Sequence, residues 1–340
     1  MSPLTPSVLA SSPIAVLGAG AWGTALAILL AANGQAVRLW GHEPAQLRRL
    51  ARDREHRDAL PGVVFPPALE IHEVLEEAVA GCRDLLVVVP SHGFQDLMER
   101  LADMALEAPR IAWGTKGLEP GRARLLHEVA AEALGTVPLA VVSGPTFAAE
   151  VAARLPTAVT VAANDADFAA DMASRLTSPW FRVYISEDLI GVQLGGAVKN
   201  VLAIAAGIAD GLGFGANTRA ALVTRGLAEM GRLGLAAGGR QDTFNGLAGL
   251  GDLVLTCTDN QSRNRRFGKA LGEGRAAAAA LTEVGQVVEG VATTREVVAL
   301  AARLGVEMPI SEQVYRVIHE GLPPSQAVRS LLSRADIRGE

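Results

Sequence analysis

The stretch Ile14-Ala15-Val16-Leu17-Gly18-Ala19-Gly20-Ala21-Trp22-Gly23-Thr24-Ala25-Leu26-Ala27 decides the fold. Ile14 to Leu17 is a short apolar β-type run that leads into G-x-G-x-x-G. Small and aliphatic residues then continue at helical spacing through Leu30. In a strand–turn–helix setting the three glycines have separate uses. Gly18 permits a tight turn. Gly20, lacking a Cβ, lets a pyrophosphate lie against the backbone, and Gly23 lets the helix pack close to the strand. The free N–H groups at the helix start would face the phosphates. A second strand candidate, Ala36–Trp40, follows the helix, so the pattern favours dinucleotide binding over a purely structural turn.

Outward from this stretch, strand and helix signals alternate to about residue 190. Further strand candidates are Leu85–Val89, Arg110–Trp113, Leu139–Val142, Ala158–Ala162 and Phe181–Tyr184. Several are unbroken apolar runs, as expected of strands buried on both faces of a parallel sheet. Between them lie helical stretches such as Gln46–Arg54, Gln95–Leu106 and Arg122–Leu134. The alternation predicts an α/β fold whose N-terminal part is a doubly wound, Rossmann-type sheet. Beyond residue 190 the strand signal stops. Ala/Leu/Gly-rich helical patterns take over at Gly191–Ile208, Thr218–Leu233, Thr294–Leu304, Ser311–His319 and Ser325–Leu332. The expected organisation is a disordered tail over 1–13, a dinucleotide-binding domain over 14–190, and an all-helical substrate domain over 191–340.

Composition narrows the function classes. At 340 residues the chain is long enough for two domains. Its net charge of −5 argues against general nucleic-acid binding, which calls for a basic face. Cys82 and Cys257 are too few for a disulfide framework and suit a reducing cytoplasm. The first thirteen residues carry no Lys or Arg and so lack the basic start of a signal peptide. No apolar run reaches the ~18 residues needed to span a bilayer. No metal-ligand spacing stands out. Exposed apolar stripes on a helical domain would suit a homodimer.

Candidate chemistry gathers at a few places. The second strand ends Trp40-Gly41-His42-Glu43, without the carboxylate that selects NAD. NADP is therefore favoured and NAD left open. His42 either faces a 2′-phosphate or is a solvated loop residue. Lys116, in Gly114-Thr115-Lys116-Gly117 after a buried strand, is placed to reach a ligand. In Ser143-Gly144-Pro145-Thr146-Phe147-Ala148, Gly144 and Thr146 fit a ligand contact and a simple turn equally well. Lys199 lies within an apolar helical run, where Lys is rarely buried without a partner. Burial in a cleft would lower its pKa and make it a proton donor and acceptor. Asp252, between glycines and an apolar run, needs a cation, and Lys199 is the natural one. Ser262, Arg263 and Asn264 read as a helix start and hence an anion site. Glu289, in the glycine-bounded segment 285–290, suits either a ribose contact or an ordinary loop acid.

Together these motifs resemble the bacterial NAD(P)-dependent sn-glycerol-3-phosphate dehydrogenase family. The resemblance rests on Gly18–Ala27, Val88–His92, Gly114–Glu119, Ser143–Ala148, Gly191–Asn200, Gly249–Cys257, Ser262–Gly268 and Val287–Gly290, in family order over residues 14 to 320. One departure is Ala21, where the family often has Ser. The resemblance implies a Rossmann-type domain followed by a helical domain like that of 6-phosphogluconate dehydrogenase. It also implies interconversion of dihydroxyacetone phosphate and sn-glycerol 3-phosphate for phospholipid synthesis. The implied cofactor residues are Ala21, Trp22, His42, Lys116, Ala148, Arg263, Val287 and Glu289. The implied substrate residues are Lys116, Gly144, Thr146, Lys199, Asp252, Ser262, Arg263 and Asn264, with Lys199 as proton acceptor. The expected mechanism is hydride delivery to the C2 carbonyl while Lys199, oriented by Asp252, donates the proton. Rival readings are a two-domain dehydrogenase of the 3-hydroxyacid or 6-phosphogluconate type, and a non-catalytic nucleotide-binding protein.

Overall fold

The computed structural model describes residues 12–104 and 106–332. The expected tail lies, up to residue 11, outside the described residues. The chain divides into two compact units. One runs to Thr115 and resumes over Leu126–Leu189. The other comprises Lys116–Leu125 and the chain from Ile190 onward.

The first unit opens with β1 (Ile14–Leu17), α1 (Ala21–Ala32), β2 (Val37–Trp40), α2 (Pro44–Asp53), β3 (Leu69–His72) and α3 (Leu75–Val79). It continues through β4 (Asp84–Val87), α4 (Phe94–Asp103), β5 (Arg110–Trp113), α5 (Leu126–Leu134) and β6 (Leu139–Ser143). Then come α6 (Ala148–Ala152), β7 (Thr157–Ala163), α7 (Ala166–Leu176) and β8 (Phe181–Ser186). The strands form one sheet in the order β3-β2-β1-β4-β5-β6-β7-β8. Every residue of β1, β4, β5 and β6 is buried, because helices cover both faces of a doubly wound sheet. The first residues of β4 and β5, Asp84 and Arg110, are register partners. They pair through both carboxylate oxygens at 2.6 and 2.8 Å, so these buried charges compensate each other.

Three local expectations need correction. The sheet is not wholly parallel: β6 and β7 run antiparallel, while β7 and β8 are parallel to each other. The edge strand β3 escaped notice because Leu-Glu-Ile-His has one buried residue and no unbroken apolar run. The helix expected over 122–134 begins only at Leu126.

The second unit is helical. It contains α8 (Leu189–Gly211), α9 (Ala216–Ala236), α10 (Gln241–Asn245), a π-helical turn (Leu247–Gly251) and α11 (Asp252–Thr258). It ends with α12 (Arg263–Gly272), α13 (Ala277–Val284), α14 (Glu289–Leu304), α15 (Pro309–His319) and α16 (Pro324–Leu332). By length and composition α8 could cross a membrane, yet 89% of its most apolar window is buried inside the protein. It is the central core helix of its unit, with Val198, Val201 and Ile204 wholly enclosed.

Candidate active site

In the sheet unit the glycine turn sits where the strand order reverses, between β1 and its neighbours β2 and β4. This switch point is where open α/β sheets bind ligands. Gly18 has φ +129° and packs on the Val88 carbonyl, where a Cβ would come within 2.6 Å. A Cβ on Gly23 would lie 1.9 Å from the Gly18 oxygen, so only glycine lets α1 start this close to the strand. A Cβ on Gly20 would meet nothing within 4 Å, which leaves an open face over the start of α1. No side chain caps that helix, so its first N–H groups are available to an anion.

Ala21 and Trp22 are the first residues of α1. The indole Nε1 of Trp22 is buried without a hydrogen-bond partner and lies against Gly114. An open glycine face, an uncapped helix start and an orphaned N–H donor together fit a dinucleotide. His42 is solvent-exposed beyond β2, 3.6 Å from the Glu43 carboxylate. Thr146 donates to the Gly144 carbonyl at 3.1 Å in the turn after β6. Ala148 opens α6, which packs against α1. Two contributors went unread in the sequence. Gln46 donates to the Ala19 carbonyl at 3.2 Å and meets the buried His56 ring at 3.3 Å, bracing the glycine turn from beneath. Polar residues in a helix and a loop carry no signal that they will meet this turn.

In the helical unit an ionic cluster forms around Asp252, which is fully buried. Lys199, 5% exposed in the middle of α8, donates to Asp252 Oδ1 and to Thr256 Oγ1 at 3.0 Å. Lys116 donates to Asp252 Oδ2 at 2.7 Å. Thr256, one turn after Asp252, donates to the Asp252 backbone carbonyl at 2.6 Å. The cluster depends on close backbone packing. A Cβ on Gly195 would lie 2.3 Å from the Ala248 oxygen. Glycine there lets the π-helical turn press onto α8 and deliver Asp252 to Lys199, four residues after Gly195.

Lys199 and Lys116 thus both donate to the one buried carboxylate of Asp252. Burial pushes the Lys199 pKa down to about 7; Asp252 opposes this and Lys116 reinforces it. A lysine so tuned is poised to give and take a proton near neutrality.

Ser262 is the N-cap of α12, its Oγ accepting from Arg265 N at 3.2 Å. Arg263 follows in the first turn of α12. Loss of water lowers its guanidinium pKa against the pull of the Glu289 carboxylate. Asn264 is tied into the framework: its amide donates to Asn200 Oδ1 at 3.0 Å and accepts from Gly290 N at 2.9 Å. That linkage joins α8, α12 and the start of α14, where Glu289 stands. Arg265 is bound to Asp210 at 2.6 Å and to Asn260. Val287 is exposed. The structure thus brings Lys116, Lys199 and Asp252 into one cluster and sets Arg263 under the influence of Glu289. Thr256 went unread, although its i+4 spacing from Asp252 is a usable helical signal. Among the described residues no group of three His, Cys, Asp or Glu side chains could hold a metal ion.

Known proteins resemble this chain over most of its length. Family profiles match residues 13–169 as the N-terminus of NAD-dependent glycerol-3-phosphate dehydrogenase and residues 188–329 as its C-terminus. The glycerol-3-phosphate dehydrogenase [NAD(P)+] of Shewanella amazonensis is 57% identical over 326 residues, covering 95% of this chain and 96% of that one. The protein of the same name from Sodalis glossinidius is 58% identical over 322 residues, 94% of this chain and 95% of that one. The crystal structure of glycerol-3-phosphate dehydrogenase from Coxiella burnetii superposes with a TM-score of 0.93 at 54% identity, covering 95% of this chain and 99% of that one.

Proposed function

Because the chain belongs to the NAD-dependent glycerol-3-phosphate dehydrogenase family, we propose that it reduces dihydroxyacetone phosphate to sn-glycerol 3-phosphate with NAD(P)H, and that Lys199 is its proton donor. The observation that carries the assignment of Lys199 is its buried ammonium donating to Asp252 and Thr256, where burial pulls its pKa down from the ordinary lysine value. A bound reduced nicotinamide supplies hydride to the C2 carbonyl carbon. Lys199 polarises the carbonyl oxygen and gives it the proton, and in the reverse direction it takes the hydroxyl proton back. Asp252 holds both ammonium groups, and its charge keeps Lys199 protonated far enough up the pH scale to act as an acid. Lys116 adds positive charge that favours a phosphorylated substrate. Ser262, Arg263 and Asn264, at the start of α12, are the proposed phosphate site.

Gly18, Gly20 and Gly23, with Ala21 and Trp22, would hold the dinucleotide at the uncapped start of α1. His42, exposed and without a carboxylate at the strand tip, admits NADP as well as NAD. Gly144, Thr146 and Ala148 after β6, and Arg263, Val287 and Glu289 of the helical unit, are the other residues proposed to contact cofactor or substrate. The free, buried Cys82 and Cys257 suit a reducing cytoplasm. The product suits phospholipid synthesis, and a homodimer is the proposed assembly.

Initial rates with dihydroxyacetone phosphate and each reduced cofactor test the assignment. Replacing Lys199 with Ala should lower kcat at least about 100-fold while cofactor still binds with near-normal affinity. Turnover close to wild type in that variant would remove Lys199 from the reaction.

A further inference from the structure

Lys116 follows a sheet strand, yet the segment it begins belongs to the helical unit. Leu118, Ala123 and Leu125 of the excursion Lys116–Leu125 are part of that unit's apolar core. Glu119, 2% exposed, grips Arg124 through both carboxylate oxygens at 2.5 and 2.9 Å, and its backbone N–H donates to the Arg124 carbonyl at 2.9 Å. The excursion is therefore a closed loop. It is also held from outside by α14. The buried Glu296 accepts from Gly121 N at 3.1 Å, and Arg303 donates to the carbonyls of Arg122 and Ala123 at 3.0 and 2.9 Å. Glu296 and Arg303 are seven residues apart and share one face of α14. Ala123 has φ +51°, a left-handed conformation that a non-glycine residue keeps only when its surroundings hold it. The Arg303 bond to its carbonyl is such a hold.

We propose that Glu296 and Arg303 are positioning residues for Lys116: by pinning the excursion to α14 they set where its ammonium stands against Asp252 and Lys199. Neither residue touches the ionic cluster, and neither carries a motif of its own. The proposal rests on Lys199 being the proton-transferring group. A free loop of this length samples many conformations, and an ammonium on a four-carbon stem follows the backbone that carries it. Loosening the anchors moves Lys116 off Asp252. The groups that then face Lys199 are Asp252 and Thr256 from α11 and the buried thiol of Cys257, whose pKa is pushed up to about 12 and which stays uncharged. With the Lys116 charge withdrawn and Asp252 undivided, both changes raise the pKa of Lys199.

The test uses the full-length chain carrying Arg303→Ala or Glu296→Ala, each beside a conservative partner, Arg303→Lys or Glu296→Gln. Reduction of dihydroxyacetone phosphate is followed across the neutral pH range. The alanine variants should lose about tenfold in kcat with the KM for the nicotinamide cofactor within about twofold. Their pH midpoint should move upward by about half a unit. The lysine and glutamine variants keep a donor or an acceptor in place and should recover most of both. Arg303 is exposed, so its pair carries the test alone if Glu296→Ala does not fold. An unchanged kcat and midpoint in the alanine variants would overturn the proposal, as would a loss the conservative variants do not recover or a change confined to cofactor KM. A Lys199→Ala variant with normal turnover would instead defeat the reading on which the proposal stands.

Discussion

At the residue scale, Lys116 and Lys199 share one carboxylate but differ in environment. Lys199 is sealed within α8, and Lys116 is only half-buried. Burial alone would drive an ammonium to its neutral form, and Asp252 keeps that from going too far. The balance has a direction that rates can read. Reduction needs the ammonium, so its kcat should fall as pH rises through about 7. Oxidation of glycerol 3-phosphate needs the free amine, so its kcat should rise over the same interval. Initial rates in both directions check this; two profiles that rise and fall together would show that another group carries the proton.

At the element scale, the decisive contact is the crossing of α8 and α12. Gly207 and Gly211 on one helix meet Gly268 and Gly272 on the other. A Cβ on Gly207 would lie 2.1 Å from the Arg265 oxygen, and one on Gly268 2.1 Å from the Ile204 oxygen. The backbones touch directly, and the Asp210–Arg265 pair at 2.6 Å holds the same two helices together. The start of α12, with Ser262 and Arg263, is thereby set in register with Lys199. No flexible side chain at the crossing can give way, so Gly268→Ala should destabilise the protein by about 3 kcal/mol. A urea midpoint within error of wild type would mean that the two helices can separate without loss.

At the scale of the whole molecule, two buried groups tilt stability in opposite directions with pH. Glu229, on α9, accepts from Ile310 N at 2.6 Å at the start of α15, and burial raises its pKa from 4.5 to about 7. The folded state therefore keeps this proton longer than the unfolded chain. Ionisation costs nothing below the unfolded pKa and about 3 kcal/mol once the folded pKa is passed. Lys199 behaves in the reverse sense. Its folded pKa lies below the ordinary 10.5, so its cost is full below about 7 and fades as pH rises toward 10.5. The two contributions together are least favourable near neutrality. Glu229→Gln removes only the first. Its stability relative to wild type, measured by urea unfolding, should improve as pH rises from about 4.5 to about 7 and level off above that. A constant difference would show that Glu229 is already ionised throughout.

Signals carried by neighbours in the chain were legible without coordinates. The glycine turn from Gly18 to Gly23, the unbroken strand runs, the change to helices near residue 190 and the helix start at Ser262 all depend on periodicity, capping or φ freedom. So was the pairing of Lys199 with Asp252, since an isolated charge in an apolar run demands a counter-charge. Tertiary packing alone decided the rest. It reversed β7 against β6, paired the half-exposed β3 at a sheet edge, and put Gln46 and His56 under the Ala19 carbonyl. It also drew Lys116–Leu125 out of the strand-and-helix alternation into the helical core. Each of these joins residues far apart in the chain whose local sequence is compatible with several partners. Only the volumes and hydrogen-bonding needs of the assembled core choose among them.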